Sequence, residues 1–258
     1  MIRKIIIAFA LLVGILTTTR ADETVTFKGP PHTENGTFLT LTGQLTRPKG
    51  EGLFPAVVLL HGCSGLNRFY HVWAERLASW GYVALRVDSF GSRGASSCHD
   101  FDQLLELPKK RAQDTYAAKS FLSGLPYVDR NRIGVIGWSH GGWTVLTALN
   151  AGETEISPFK AAVAFYPFCG EPLTKLNAPL LILIGDLDDY CPARLCSSRM
   201  PVEKAAHDVI LKLYQGAYHC FDWEGTDLQY MGHRLLYNPV ASADAQVRVR
   251  EFLAKHLK

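Results

Sequence analysis

Residues 132–150 hold the chain's strongest structural instruction. The apolar run Ile133-Gly134-Val135-Ile136 leads into Gly137-Trp138-Ser139-His140-Gly141, and residues 142–150 then read as an apolar helix. Strand, sharp turn and helix in immediate succession put Ser139 on the turn. The glycines two residues either side of it answer a steric demand. A serine on such a turn takes a strained backbone conformation, and a Cβ at either flanking position would strike the adjoining strand or helix. The consequence is an exposed hydroxyl. Gly-x-Ser-x-Gly alone is a weak signal, and the strand before it and helix after it give it meaning.

The rest of the chain fits around that unit. Residues 23–29 and 38–46 alternate polar with apolar or β-branched residues about a Glu34-Asn35-Gly36 turn, which predicts an antiparallel hairpin at one sheet edge. Pro55 to Leu60 is a continuous apolar strand that ends in His61-Gly62-Cys63-Ser64-Gly65. A helix over about 71–80 and a strand over 82–87 follow, the latter ending at Asp88-Ser89-Phe90-Gly91-Ser92-Arg93-Gly94. A helix over 108–122, a connection through Asp129-Arg130-Asn131, further strands at 161–165, 180–184 and 209–214, and a last helix over about 241–256 complete the reading. Strands separated by helices in repeated alternation imply an α/β fold, a mostly parallel doubly wound sheet with helices on both faces and ligands at the strands' carboxyl ends. The polar motifs fall at such ends. With 258 residues, 47% of them hydrophobic, and no internal repeat or low-complexity linker, residues 22–258 are expected to form a single domain.

Residues 1–21 read as a secretory signal peptide: Arg3 and Lys4, an apolar run from Ile5 to Leu16, three threonines, and Ala21 as the cleavage residue. That run is short of the roughly 20 residues that span a bilayer, so no stable membrane span is expected after cleavage, and the protein is expected in a periplasm or outside the cell. Removing the leader takes three of the 27 basic residues and leaves as many basic as acidic ones. No basic stripe remains, which argues against nucleic acid as a partner. Six cysteines, Cys63, Cys98, Cys169, Cys191, Cys196 and Cys220, behind an export signal suggest disulfides. A metal site built from Cys191, Cys196, His219 and Cys220 has no recognised ligand spacing and would consume the histidine needed below.

A serine hydroxyl is a poor nucleophile near neutral pH; it needs a base within hydrogen-bond reach and a carboxylate to orient that base. Both follow Ser139 in the chain. Gly185-Asp186-Leu187-Asp188-Asp189-Tyr190 closes one strand with three candidate carboxylates, and Tyr218-His219-Cys220-Phe221-Asp222 follows another. The order Ser, Asp, His is that of α/β-hydrolases.

At this point the chain, over roughly residues 25–258, resembles the dienelactone hydrolase family of α/β-hydrolases. The resemblance rests on His61-Gly62-Cys63-Ser64-Gly65, Asp88-Ser89-Phe90, Arg93-Gly94, the Ser139 turn, Gly185-Asp186-Leu187-Asp188, Gly216-Ala217-Tyr218-His219 with Phe221-Asp222, and Gly232-His233-Arg234. It implies Ser139 as nucleophile, His219 as base and Asp188, three residues after the strand-ending glycine, as the acid. The best-known members carry cysteine where this chain has Ser139, so the resemblance points to a serine esterase branch that cleaves a carboxylic ester of a small or medium substrate through an acyl-enzyme. A lactone hydrolase or peptidase on the same triad, and a catalytically silent binding protein, are the alternatives. The backbone amides of Cys63 and His140 are the expected oxyanion donors. Arg93 is expected at the pocket mouth, where it could grip a substrate carboxylate, and Trp138 and Tyr190 are expected to shape an apolar pocket. The chemistry calls for no metal or organic cofactor. In this fold the strands leading to Cys63 and Cys98 are neighbours, as are those leading to Cys169 and Cys191 or Cys196, which favours bonds Cys63–Cys98 and Cys169–Cys196.

Overall fold

The computed structural model describes residues 22–31, 37–100, 102, 104–150, 157–200 and 208–258. The leader at 1–21 and the turn at 34–36 lie outside them. Eight strands form one sheet: β1 (Glu23–Pro31), β2 (Phe38–Thr46), β3 (Phe54–Leu60), β4 (Val83–Asp88), β5 (Val128–Trp138), β6 (Ala162–Phe165), β7 (Leu180–Gly185) and β8 (Val209–Tyr214). Their order is β1-β2-β4-β3-β5-β6-β7-β8. The β1–β2 pair and the β2–β4 pair are antiparallel, and every pair from β4 across to β8 is parallel. The expected edge hairpin is therefore present, and it pairs through β2 with the parallel sheet.

The strand sequences explain the layering. Residues 55–60 of β3, all of β6 and all of β7 are buried, as unbroken apolar runs must be when helices cover both faces of a sheet. Helix α1 (Arg68–Ser79) starts at Asn67, whose side chain accepts the Phe69 amide, and packs on β4. Helix α2 (Leu107–Ser123) packs against α3 (His140–Leu149). Helix α5 (Pro239–Leu257) is capped by Asn238 and meets the end of α1, where Lys258 Nζ donates to the Trp80 carbonyl. The short helix α4 (Ala193–Arg199) follows the acidic turn after β7. Among the described residues no helix is long and apolar enough to cross a membrane.

Two differences from the sequence reading bear on function. Residues 129–131, read as a connection, lie inside β5, which begins at Val128. A second, two-stranded antiparallel sheet, β9 (Asp227–Tyr230) with β10 (His233–Leu236), was not anticipated and sits beside the site. Met231 and Gly232 both have positive φ, 51° and 85°, which closes this hairpin in two residues with the hand a right-twisted pair of strands needs.

Candidate active site

Ser139 occupies the corner between β5 and α3 with φ 53° and ψ −118°, a conformation that costs a side-chain-bearing residue of order 1–3 kcal/mol. The surrounding packing enforces it. A Cβ at Gly137 would lie 2.2 Å from the Gly141 carbonyl oxygen, and one at Gly141 would lie 2.1 Å from the Leu60 carbonyl oxygen, so β5, α3 and β3 approach one another more closely than any other residue allows. The Ser139 amide donates to the Phe165 carbonyl at 2.9 Å, and Trp143 N–H donates to the Ser139 carbonyl at 2.9 Å. The corner is thus held on both sides.

His219 arrives from the loop after β8. Its Nε2 lies 3.0 Å from Ser139 Oγ and its Nδ1 lies 2.8 Å from Asp188 Oδ2. An ionised carboxylate only accepts, so the proton sits on Nδ1 and Nε2 is left to accept from the serine hydroxyl. Asp188 is 3% exposed, and its other oxygen accepts the Cys191 amide at 2.7 Å. The neighbouring carboxylates do other work. Asp186 accepts the Gly216 amide at 2.7 Å, and exposed Asp189 faces His233 at 3.4 Å. A Cβ at Gly185 would lie 2.0 Å from the Ala217 carbonyl oxygen, so this glycine lets the acid turn and the histidine loop meet. The His219 ring lies between Tyr166 and Tyr190, with centroids 4.6 Å and 5.1 Å away. On its far side the loop is clamped by β10, whose Leu236 amide donates to the His219 carbonyl at 3.2 Å.

Above Ser139 is a cavity of about 210 Å³. Gly62, Cys63 and Ser64 line one side, the aromatic rings of Tyr70, Trp138, Tyr166, Tyr190 and Trp223 form most of the wall, and Leu228, Tyr230 and Leu235 of the small hairpin roof it. Trp138 and Tyr190 are therefore placed at the cavity. Arg93 is not, which corrects the expectation for it: its guanidinium makes two bonds of 2.8 and 2.9 Å to Asp114 on α2, a carboxylate with no exposed surface. A buried carboxylate without a cation would be far costlier than a mouth without an arginine, and this decides where the side chain goes. No arginine or lysine lines the cavity among the described residues.

Behind the segments at 61–63 and 139–140 lies a residue the sequence reading did not single out. Arg111 of α2 has no exposed surface; its Nη2 donates to the His61 carbonyl at 2.7 Å and its Nη1 to His140 Nδ1 at 2.7 Å. His61 precedes Gly62 and Cys63, and His140 follows Ser139, so one guanidinium braces both segments. Burial, then the cation, hold both rings neutral: His140 is pushed down to about 2 and His61 lies well below the usual imidazole range. Burial lowers Arg111 itself only to about 10, so it stays charged at neutral pH. Gly62 N–H donates to the Tyr70 hydroxyl at 2.7 Å.

Two disulfides, Cys63–Cys98 and Cys169–Cys196, join the pairs expected, and Cys191 and Cys220 are buried thiols that burial pushes well above their usual pKa. Cys196, bonded to Cys169, is unavailable to any thiolate metal set.

Known proteins resemble this chain over most of its length. A putative carboxymethylenebutenolidase from Synechocystis sp. is 25% identical over 243 residues, covering 85% of this chain and 94% of its own. A probable 2-oxo-3-(5-oxofuran-2-ylidene)propanoate lactonase from Bradyrhizobium sp. is 25% identical over 234 residues, covering 83% and 88%. The crystal structure of a putative dienelactone hydrolase from Klebsiella pneumoniae superposes with a TM-score of 0.70 at 18% identity, covering 92% of this chain and 100% of that one. The model of the dienelactone hydrolase family matches residues 41–257, and with that match the chain belongs to the dienelactone hydrolase family, as a hydrolase of ester bonds on an α/β-hydrolase fold.

Proposed function

We propose that the protein is an exported serine esterase that cleaves uncharged carboxylic esters with a compact apolar or aromatic acyl group. The observation that carries this reading is the continuous hydrogen-bonded line from Ser139 through His219 to Asp188 beneath an aromatic cavity without a cation. In the proposed reaction Ser139 Oγ bonds to the ester carbonyl carbon while its proton passes to His219 Nε2. Charge collects on the carbonyl oxygen, where the Cys63 and His140 amides receive it; one such donor is worth about 2.7–4 kcal/mol at the transition state. Collapse breaks the bond to the alcohol, which leaves with the proton from His219, and water releases the acid from Ser139 by the same steps in reverse. Asp188 holds the tautomer and stabilises the imidazolium that forms.

Ester over anionic lactone follows from the wall. An anionic substrate would bring a carboxylate into a space lined by rings and leucines, with Arg93 already bound to Asp114. Export rests on the leader at residues 1–21 and on the two disulfides, bonds that persist in oxidising compartments.

The test is labelling of the purified protein with a fluorophosphonate, location of the modified peptide by mass spectrometry, and turnover of matched neutral esters, lactones and peptide amides. Label at Ser139 that is absent from Ser139→Ala and His219→Ala, with neutral aryl or short acyl esters the best substrates, is the expected result. A folded protein that takes no label would overturn the reading, and preference for an anionic lactone would overturn the substrate class.

A further inference from the structure

Asp222 is a buried acid that the reaction leaves unused. It lies three residues after His219 and is 7% exposed. Its Oδ1 accepts the Tyr166 hydroxyl at 2.8 Å, and its Oδ2 accepts the indole N–H of Trp138 at 3.1 Å and of Trp73 at 3.3 Å. The three donors come from three places in the fold. Trp73 belongs to α1, Trp138 ends β5 directly before Ser139, and Tyr166 directly follows β6. All three are neutral, so nothing in the triad of donors cancels the acid's charge.

That arrangement is costly unless it holds something. Aromatic rings can pack together without an acid among them, whereas a carboxylate taken from water costs several kcal/mol that hydrogen bonds only partly return. What this carboxylate supplies is geometry: its lone pairs can take all three donors at once, and each donor bears on the site. Trp138 fixes the strand end that carries Ser139, and it lines the cavity with Tyr166. The Tyr166 ring stands edge-on against the His219 imidazole, and its backbone is held at φ 35°. Trp73 anchors the set to α1, its ring 5.4 Å from that of Trp138.

We propose that Asp222 is a positioning residue for the Ser139–His219 pair, its carboxylate tying the serine corner, the aromatic wall behind the histidine and α1 to the loop that carries the base. The kinetic arm of this proposal rests on the esterase reading above; its spectroscopic arm does not.

Protonation of Asp222 disturbs the tie. A proton on Oδ1 turns the Tyr166 hydroxyl from donor to acceptor, and one on Oδ2 displaces an indole. Burial pushes this carboxyl up to about 6 against the pull of its three donors. The titratable and charged groups around it are Tyr70 and Arg76 from α1, Tyr166 after β6, Cys220 and Glu224 on its own loop, and Tyr237 and Arg68 in the adjoining cleft; α5 brings only the neutral Ser242 and Gln246. Tyr70, Tyr166 and Cys220 are pushed up by burial and keep their protons at neutral pH.

Two of the residues bonded to Asp222 are tryptophans, so the experiment is a tryptophan-emission titration from about pH 4.5 to 8.5, paired with kcat and KM for a p-nitrophenyl ester. Wild type, Ser139→Ala and His219→Gln are expected to show one emission transition centred near 6, and Asp222→Asn to lack it. Asp222→Asn is expected to lose about ten- to a hundredfold in kcat with KM within about threefold, the pattern of displaced reacting groups rather than lost binding. Tyr166→Phe, which removes one donor and keeps the ring, is expected to lose less in the same direction. An emission transition that survives in Asp222→Asn, or is absent from wild type, overturns the proposal, as does wild-type kcat in either Asp222→Asn or Tyr166→Phe. A wild-type protein that turns over no ester would defeat the esterase reading alone, and the titration would still decide the role of Asp222. Should Asp222→Asn not fold, the wild-type titration and Tyr166→Phe decide it.

Discussion

Replacing Ser139 by glycine and by alanine separates the strain at the corner from the chemistry performed there. Both substitutions delete the hydroxyl and its bond to His219, so that loss cancels between them. What differs is the Cβ. At φ 53° and ψ −118° alanine keeps a strain of order 1–3 kcal/mol that glycine does not have. Glycine gives back about 0.5–1 kcal/mol through the greater freedom of its unfolded chain. Ser139→Gly is therefore expected to be more stable than Ser139→Ala by about 0.5–2 kcal/mol, or roughly 1–8 °C in Tm for a chain of this size. The control has the opposite sign: Ala254 is exposed in α5, and Ala254→Gly should cost about 1 kcal/mol. Urea or thermal unfolding followed by far-UV circular dichroism reads all three. Ser139→Ala as stable as Ser139→Gly would refute the claim that the corner stores strain, and with it the account of why glycines flank the serine.

Further outcomes follow from the buried charges and cross-links. Arg111→Met strips donors from the His61 carbonyl and His140 Nδ1, each costing about 1–3 kcal/mol, and should lower kcat more than it raises KM; urea unfolding and steady-state kinetics check both. Replacing Cys63 and Cys98 by serine opens a 35-residue loop, worth about 4 kcal/mol in chain entropy, and should slow ester turnover because the Cys63 amide is a proposed oxyanion donor; Tm and kcat with and without reductant measure it. Because the folded Asp222 pKa lies above its unfolded value, its contribution to stability is full below about 4 and is lost as pH rises through about 6. Relative to Asp222→Asn, the wild type should lose roughly 2 kcal/mol between pH 4 and 7, read by urea midpoints at both pH values. No change in that difference would mean that burial does not raise the Asp222 carboxyl above its unfolded value.

Most of what positions the serine was legible in the chain because it is local. Apolar runs of strand length, a glycine two residues from Ser139 on either side and a glycine closing β7 each describe what adjacent residues must do, and the expected strands of the large sheet fall within one or two residues of those observed, except β5, which starts at Val128, ahead of the polar residues 129–131 read as a connection. What was not legible depends on partners far apart in sequence. Arg93 finds Asp114 across 21 positions, and nothing near Arg93 announces a buried acid on α2. Arg111, Asp114 and Lys119 break the apolar pattern of that helix while being buried in it, so periodicity reads them as surface. Asp222 draws on Trp73, Trp138 and Tyr166, up to 149 residues away. The hairpin at 227–236 has strands of four residues, too short for alternation to speak, and its one usable signal was Gly232, read only as part of a family signature.

The small hairpin has an implication for how this protein can change. Residues 218–238 form one unbroken length of chain that carries His219, Asp222 and the hairpin over the cavity, and it is stitched together by the Leu236-to-His219 and Asn238-to-Phe221 amide bonds of 3.2 and 2.9 Å. Selectivity and proton transfer are therefore not separately adjustable modules here. A loop exchange that widens the entrance will also shift the imidazole, so descendants with new substrates should arise through paired changes in which a roof residue such as Leu228 or Tyr230 alters together with a residue that resets the histidine. Diversifying the roof alone would explore turnover and substrate range as a single variable.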